Sequence, residues 1–209
     1  MAATTSGVTA LLFGVGLLAG VTLVVGLLVS IRSPTRRFWP HGKRDWTFWV
    51  SWTAWLVYFG SLLGVTYLDW WSWYQPPTLV QGVSLLLVLA GAVFATWALW
   101  RLGFWESSGL EGHLNTEGPY RYSRNPQYVG YVAMLGGGAV LAGSWMAAVL
   151  ALVGIVWFLL APLAEEPWLS EQYGDAYEEY RRSVPRFLGR THREPSRQGK
   201  TDRSKGENS

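Results

Sequence analysis

Long apolar runs alternate with short polar segments along most of this 209-residue chain. A transmembrane helix needs about 20 consecutive, mostly apolar residues. Three runs reach that length without a charged residue, and a charged side chain directly follows each of them. We therefore predict three transmembrane helices in the first half of the chain: Val8–Ile31, Thr47–Leu68 and Thr78–Trp100.

A fourth uncharged stretch, Gln127–Ala164, is too long for one comfortable span and short for two. Gly143 and Ser144 near its middle are a turn signal. We predict a tight hairpin of two transmembrane helices, Gln127–Ala142 and Trp145–Leu163. One long tilted helix is the alternative interpretation.

The distribution of lysine and arginine separates a five-span from a four-span arrangement. All 17 basic residues lie in three segments: five in residues 32–45, three in 101–126 and nine after residue 163. Loops rich in Lys and Arg stay in the cytoplasm, and only five spans put all three segments on one side. We predict a multi-pass integral membrane protein with its N-terminus outside and its C-terminus in the cytoplasm. A secretory signal is an alternative for the first run, which lacks the basic start of such signals.

The composition supports a membrane protein and excludes several kinds of chemistry. Only 15% of the residues are charged, against about 25% in an ordinary soluble domain. The 14 tryptophans suit membrane–water interfaces. Without cysteine, disulfides and cysteine nucleophiles are excluded, and the three histidines lack metal-ligand spacing, so no metal site is predicted. The basic charge follows from topology and implies no nucleic-acid partner.

The predicted fold class is an all-α integral membrane protein with five transmembrane helices and a cytoplasmic amphipathic C-terminal helix. We divide the chain into three parts. Residues 1–68 contain the first two transmembrane helices, and residues 69–188 form the core that carries the candidate chemistry. Residues 189–209 are polar and rich in Ser, Gly and Lys, which predicts a disordered basic tail.

The first segment with candidate chemistry is "EGPYRYSRNPQYVG", Glu117–Gly130, directly before the hairpin. Pro126 disfavours helix at Asn125 and can occupy the first turn of the fourth span. Unpaired N–H groups and the positive end of the helix dipole then point toward Asn125, which suits a carboxylate ligand. A juxtamembrane connector, with arginines for lipid phosphates and tyrosines for the interface, is the alternative.

The second segment is "LAEEPWLSEQYGDAYEEYRRSVPRFL", Leu163–Leu188. Its paired carboxylates, Glu165 and Glu166, lie where the last span ends, a costly position unless they are solvated or partnered. Three tyrosines follow at helical spacing, and Pro185 ends the pattern. We predict an amphipathic helix that lies on the membrane surface or folds back over the hairpin, with a plain interfacial anchor as the alternative. The tyrosines are Tyr173, Tyr177 and Tyr180.

Together, the two segments resemble the isoprenylcysteine carboxyl methyltransferase and phospholipid methyltransferase group of membrane enzymes. That group has a G-P-Y-R-x-x-R-H-P-x-Y-x-G stretch, an apolar hairpin, then E-E-x-x-L-x-x-x-(Y/F)-G-x-x-Y-x-x-Y and a V-P element. The corresponding stretches here are Gly118–Gly130, Gln127–Leu163 and Glu165–Arg186. The resemblance covers roughly Trp97–Leu188, and makes residues 69–188 a methyltransferase-like core.

The resemblance implies an S-adenosylmethionine pocket on the cytoplasmic side, capped by the C-terminal segment. The two adjacent glutamates would hold the amino group of the cofactor. The methyl acceptor would be a membrane-embedded amphiphile, either an isoprenylcysteine-like carboxylate or a phospholipid amine; no oligomeric state is implied. The implied cofactor-binding residues are Tyr120, Arg121, Arg124, Asn125, Pro126, Tyr128, Gly130, Glu165, Glu166 and Tyr177. The implied catalytic residues, facing the substrate, are Arg181, Arg182 and Arg186.

Two positions depart from the pattern of the group. Asn125 replaces the usual histidine, and Asn cannot carry a proton at neutral pH. Ser183 precedes V-P, where the ester-forming branch tends to have a basic residue. A sterol-reductase-like enzyme that uses NADPH is an alternative, although its C-terminal elements usually read R-D-E and V-P-Y. A non-catalytic membrane scaffold is the other alternative.

Overall fold

A computed structural model describes residues 2–33 and 37–189, with side chains from residue 6 onward. These residues form helices and short connections, with no strand beyond an isolated bridge between Gly42 and Leu110. The predicted disorder of 189–209 falls almost wholly on residues 190–209, which lie outside the described part. The α-helices are α1 (Ala2–Arg32), α2 (Trp46–Leu68), α3 (Thr78–Leu102), α4 (Phe104–Ser107), α5 (Pro126–Ala142), α6 (Trp145–Tyr173) and α7 (Asp175–Ser183), and a 3-10 turn spans Gly118–Arg121.

Four of the described helices are long and apolar enough to cross a membrane: α1, α2, α3 and α6. This confirms an all-helical protein whose helices suit an integral membrane location. The hairpin is also present as two helices, because Gly143 adopts a left-handed conformation after α5 and Ser144 caps α6. α5 has only 17 residues, so length and composition alone do not establish the fifth span.

α6 continues ten residues beyond the predicted end at Leu163. The sequence analysis placed the end of the helix before the first charged residues, but charge marks a membrane boundary better than the end of a helix. Glu165 and Glu166 therefore lie within α6, on its last turns. Pro162 and Pro167 lie within the same helix without ending it.

Small residues allow α5 to lie directly against α3. A Cβ atom on Gly130 would come within 2.6 Å of the Gly91 carbonyl oxygen, and one on Gly137 within 2.8 Å of the Ser84 carbonyl oxygen. Close packing through glycine is typical of membrane helices. Gly130 and Gly137 thus bring α5 directly against α3. Gly136 and Gly138 face open space, because a Cβ atom at either position would have no atom of another helix within 4 Å.

At one end of the bundle, the α2–α3 loop closes the hairpin turn. The Trp71 N–H donates to the Ala142 carbonyl at 2.7 Å, and the Trp73 N–H donates to the Gly143 carbonyl at 3.0 Å. The Ser144 hydroxyl donates to the Asp69 carboxylate. The last carbonyls of a helix need partners outside the helix. This Trp-rich loop, residues 69–77, supplies those partners.

At the other end, the α1–α2 connection is pinned to the loop after α4. The Gly42 N–H donates to the Gly109 carbonyl at 2.8 Å, and the Glu111 N–H donates to the Gly42 carbonyl at 3.1 Å. The Arg44 guanidinium lies 3.8 Å from the centre of the Trp105 ring. These contacts place the first connection beside the two chemistry-bearing segments.

α7 folds over the end of α3. Tyr177 and Tyr180 are buried with Ala98, Tyr120 and Val184. The predicted single stripe of three tyrosines is wrong in one respect. Gly174 has a φ of 53° and ends α6, so Tyr173 lies on α6 and the other two on α7.

Candidate active site

A cavity with charged and hydroxyl side chains in its wall, which we call the polar cavity, lies where α5 begins and α6 ends, beneath α7. Segments that are distant in sequence form its wall, including the α1–α2 connection and the loop after α4. Of the residues that the sequence singled out, its wall contains Tyr120, Arg124, Asn125, Pro126, Tyr128, Glu165, Glu166 and Tyr177.

Five of the residues singled out lie elsewhere. Gly130 lies at the α3–α5 contact, where a side chain would not fit. Arg121, Arg181 and Arg182 are exposed, and Arg181 pairs with Glu178 at 2.9 Å on the outer face of α7. Arg186 contacts the cavity wall from outside through Glu166.

Glu166 lies between two arginines. Both of its oxygens accept hydrogen bonds from Arg186, at 2.7 Å from Nε and 2.7 Å from Nη2. Arg124 Nη1 lies 3.1 Å from Oε1, and the Glu166 and Arg124 side chains are only 10% and 9% exposed. The hydrogen bond to Glu166 raises the pKa of Arg186, so Arg186 keeps its positive charge. The negative charge of Glu166 is therefore fully compensated within the protein.

The Arg124 side chain also contacts α7. Arg124 Nη1 donates to the Tyr177 hydroxyl at 3.3 Å. Burial, followed by the charge of Glu166, raises the pKa of Tyr177 to about 12. Tyr177 is thus a neutral hydroxyl that helps to join α7 to the start of α5.

The C-terminal segment after α7 is hydrogen-bonded to the segment before α5. The Arg124 N–H donates to the Pro185 carbonyl at 2.9 Å, and the Asn125 side-chain amide donates to the Arg186 carbonyl at 2.9 Å. The Ser123 hydroxyl also donates to the Arg186 carbonyl, at 3.3 Å. Asn125 acts here as a hydrogen-bond donor, a role that requires no titrating proton.

Glu165 has different partners from its neighbour. Its Oε1 accepts hydrogen bonds from the Tyr128 hydroxyl and from the Trp39 indole N–H. Among the residues that the structure describes, no arginine, lysine or histidine pairs with it. Trp39 comes from the α1–α2 connection, and the sequence analysis missed it, because a tryptophan between basic residues gives no signal of a contact with residue 165.

A second, apolar groove runs along α2, α5 and α6. It shares four wall residues with the polar cavity, which we call the junction: Trp39, Ser107, Gln127 and Tyr128. The sequence analysis missed the groove, since its side chains meet only in the folded bundle. Its aromatic wall residues beyond the junction are Trp52, Trp55, Phe59, Tyr131, Trp157 and Phe158, with Phe104 at one end.

Comparison with known proteins agrees with the resemblance seen in the motifs. Residues 79–176 match the family model described as phospholipid methyltransferase. The chain is also 38% identical over 73 residues to the protein-S-isoprenylcysteine O-methyltransferase of Schizosaccharomyces pombe. That alignment covers 34% of this chain and 31% of the relative, so the chain spans under a third of the length of that relative. No solved structure matched the chain.

Proposed function

We propose that this chain is an S-adenosylmethionine-dependent methyltransferase that acts on an amphiphile drawn from the bilayer. The observation that carries the proposal is the junction, where a polar cavity and an apolar groove share a wall. A methyltransferase for membrane-embedded acceptors needs such an arrangement, because the donor is water-soluble and the acceptor is not. The matching family model is described as phospholipid methyltransferase, and the similar yeast protein is a protein-S-isoprenylcysteine O-methyltransferase.

The residues of the polar cavity suit a cationic cofactor. Glu165 accepts hydrogen bonds only from neutral donors, and burial raises its pKa, so a positively charged ligand beside it would supply the partner that favours its ionised form. Glu166 cannot offer the same charge, since Arg124 and Arg186 already compensate it. We therefore assign the electrostatic recognition of the cofactor to Glu165, and the closure of the site to Glu166.

When bound, S-adenosylmethionine supplies a methyl group on a sulfonium; the acceptor lone pair bonds to the methyl carbon as the C–S bond breaks, and that electron pair stays on sulfur. The protein has little acid–base work to do when the acceptor is already a carboxylate or a neutral amine. A primary amine would leave as a methylammonium, which releases its proton to water in the polar cavity. Alignment of two reactants can contribute about 7–11 kcal/mol, so we assign this chain a positional mechanism.

The apolar groove suits the tail of the acceptor. Its aromatic wall residues come mainly from α2, α5 and α6, and α2 and α6 are apolar enough to cross a membrane. An acceptor that enters from the bilayer would bury its tail there and present its polar end at the junction. We include both acceptor classes, an isoprenylcysteine-like carboxylate and a phospholipid amine, because both fit this geometry.

We also propose that the chain crosses the membrane five times, with α5 as the fourth span. A 17-residue helix is about 25 Å long, close to the roughly 30 Å of the hydrocarbon core. Five spans place the basic segments and the polar cavity together on the cytoplasmic side. S-adenosylmethionine would then enter from the cytoplasm.

The first test is calorimetric binding of S-adenosylmethionine to the detergent-purified protein, with Glu165→Gln and Glu171→Gln in parallel. Both substitutions remove one carboxylate from α6, but Glu171 is 60% exposed and pairs with Arg37. We expect saturable binding that Glu165→Gln weakens by about tenfold or more and Glu171→Gln leaves unchanged.

A second step identifies the acceptor by incubating the protein with methyl-labelled S-adenosylmethionine and membrane lipids. Label that moves into the lipid phase would establish methyl transfer. Binding of NADPH in place of S-adenosylmethionine would overturn the proposal in favour of a reductase. Binding of neither cofactor would overturn it in favour of a non-catalytic protein.

A further inference from the structure

We infer that Trp39 is a positioning residue for methyl transfer: its indole N–H holds the Glu165 carboxylate at the junction. The inference rests on the proposed function and adds a residue to it. Trp39 lies outside residues 79–176, the segment that matches the family model. The N-terminal part of the chain, which the motifs do not cover, thus supplies part of the reaction site.

The first argument is the location of Trp39. It is one of four residues that line both the polar cavity and the apolar groove. Donor and acceptor can come together only at such shared wall positions. Tyr128, which donates to the same carboxylate oxygen, is another of the four. The two hydrogen bonds to Glu165 therefore lie where the methyl group would pass between the reactants.

The second argument is the pattern of hydrogen bonds on Glu165. Trp39 and Tyr128 both donate to Oε1, and no residue that the structure describes donates to Oε2. Neutral donors stabilise a carboxylate without cancelling its charge. One oxygen is thus anchored while the charge stays available. A carboxylate anchored in this way can favour a sulfonium over an uncharged thioether.

The third argument is that the indole itself is held in place. Trp39 is 7% exposed, and its ring lies edge-on to Trp157 at 5.2 Å and to His41 at 5.3 Å between ring centres. The Trp39 backbone N–H donates to the Ser30 hydroxyl at 3.0 Å. A fixed donor needs no reorganisation when charge changes beside it, which is the property that electrostatic preorganisation requires.

A chemical consequence follows from the charge change during the reaction. The donor carries a positive sulfonium, whereas the product, S-adenosylhomocysteine, is a neutral thioether at that sulfur. A correctly held Glu165 should therefore bind the donor more tightly than the product. The ratio of the two affinities reports the position of the carboxylate, and general damage to the pocket would weaken both ligands alike.

The test compares Trp39→Phe with Trp71→Phe as the matched control. Trp39→Phe keeps an aromatic ring against Trp157 and removes the N–H donor. Trp71→Phe removes an indole hydrogen bond of 3.1 Å, to the Leu141 carbonyl, at the other end of the bundle. The affinities of both variants for S-adenosylmethionine and S-adenosylhomocysteine are measured by calorimetry. Trp39→Tyr is a second variant in case Trp39→Phe does not fold.

We expect Trp39→Phe to lower the preference for donor over product by about three- to tenfold, the effect of losing one hydrogen bond to a charged group. Once an acceptor has been identified, the kcat of Trp39→Phe should fall by a similar factor, while its KM for the acceptor stays unchanged. Trp71→Phe should preserve the preference. In a Glu165→Gln background, Trp39→Phe should change the preference no further, because the charge that it positions is gone.

Two results would overturn the inference alone. One is an equal loss of affinity for both ligands in Trp39→Phe, which would give Trp39 a purely structural role. The other is an effect on the preference that persists in the Glu165→Gln background. If the unsubstituted protein binds no S-adenosylmethionine at all, the proposed function fails, and this inference fails with it.

Discussion

Two adjacent glutamates on α6 carry the same side chain in opposite electrostatic surroundings. Glu166 is compensated by two guanidinium groups, whereas Glu165 accepts hydrogen bonds only from an indole and a phenol. A buried carboxylate that is paired with cations stabilises the fold, whereas one without a cation can interact with a charged ligand. Substitution of Glu166 should therefore lower stability, and substitution of Glu165 should weaken ligand binding.

Glu166→Gln should destabilise the protein far more than Glu165→Gln. The substitution leaves Arg124, which is 9% exposed, as a buried charge without its carboxylate. Breaking a buried ion pair costs about 3–5 kcal/mol, and we expect about 3 kcal/mol because Arg186 is 39% exposed and can be solvated. Thermal unfolding in detergent measures the difference.

The control for this prediction is Glu179→Gln, at an exposed position on α7. It removes the same charge from the C-terminal region and should leave the unfolding temperature nearly unchanged. An unfolding temperature of Glu166→Gln within error of that control would contradict a structural role for the Glu166 ion pairs.

Local motifs predicted the helices of this protein better than they predicted the elements that meet at the site. The starts and ends of α2 and α3 follow from apolar runs closed by Asp69 and Arg101, and agree with the sequence to within two residues. The end of α6 and the break at Gly174 were missed, because each depends on backbone conformation that charge patterns do not record.

The candidate site divides in the same way. Tyr128, Asn125 and Glu165 lie in two short motifs, and the resemblance of these motifs to a known family implied a shared pocket. Trp39 and the apolar groove could not be predicted, since they depend on how the α1–α2 connection and α2 pack against α6. Contacts between residues 126 positions apart, as between Trp39 and Glu165, leave no local pattern.

The α1–α2 connection holds a buried histidine that should make the stability of this element depend on pH. Burial lowers the pKa of His41 from 6.5 to about 4, with the charge of Asp45 acting in the opposite direction. His41 Nδ1 lies 3.3 Å from the Thr47 hydroxyl, and the ring packs against Trp39 and Phe48. The imidazole is therefore neutral in the folded protein at pH values where the unfolded chain begins to protonate it.

Stability should fall as the pH drops from about 6.5 to 4. In that window the unfolded chain binds a proton at His41 and the folded protein does not, so each step down in pH favours unfolding. The shift corresponds to a loss of up to roughly 3 kcal/mol. Unfolding temperatures measured across this range, for the unsubstituted protein and for His41→Phe, test the assignment.

The His41→Phe variant isolates this histidine from the carboxylates that titrate in the same window. It keeps an aromatic ring between Trp39 and Phe48 and cannot be protonated. Its unfolding temperature should depend less steeply on pH. Parallel curves for the two proteins would show that His41 contributes nothing to the dependence.

At the scale of the whole molecule, the two ends of the bundle differ in both charge and function. The end with the polar cavity carries every Lys and Arg of the described residues: they lie at the last turns of α1 and α3, in the connections that follow these helices, and in α7 and the segment after it. The end with the α5–α6 turn carries none, and is closed by the Trp-rich loop between α2 and α3. Loops rich in Lys and Arg usually face the cytoplasm, so this asymmetry supports the proposed orientation of the protein and of its site.

Single cysteines can test this orientation, because the chain contains no cysteine of its own. Gln75→Cys places a thiol in the exposed α2–α3 loop, and Glu179→Cys places one on the exposed face of α7. A membrane-impermeant maleimide applied to intact cells should label the first thiol directly. It should label the second only after the membrane is permeabilised.

Labelling of both thiols from the same side would contradict an odd number of spans between them, and with it the assignment of α5 as a span. The reverse pattern of labelling would place the polar cavity outside, away from cytoplasmic S-adenosylmethionine, and would remove the premise of the proposed reaction.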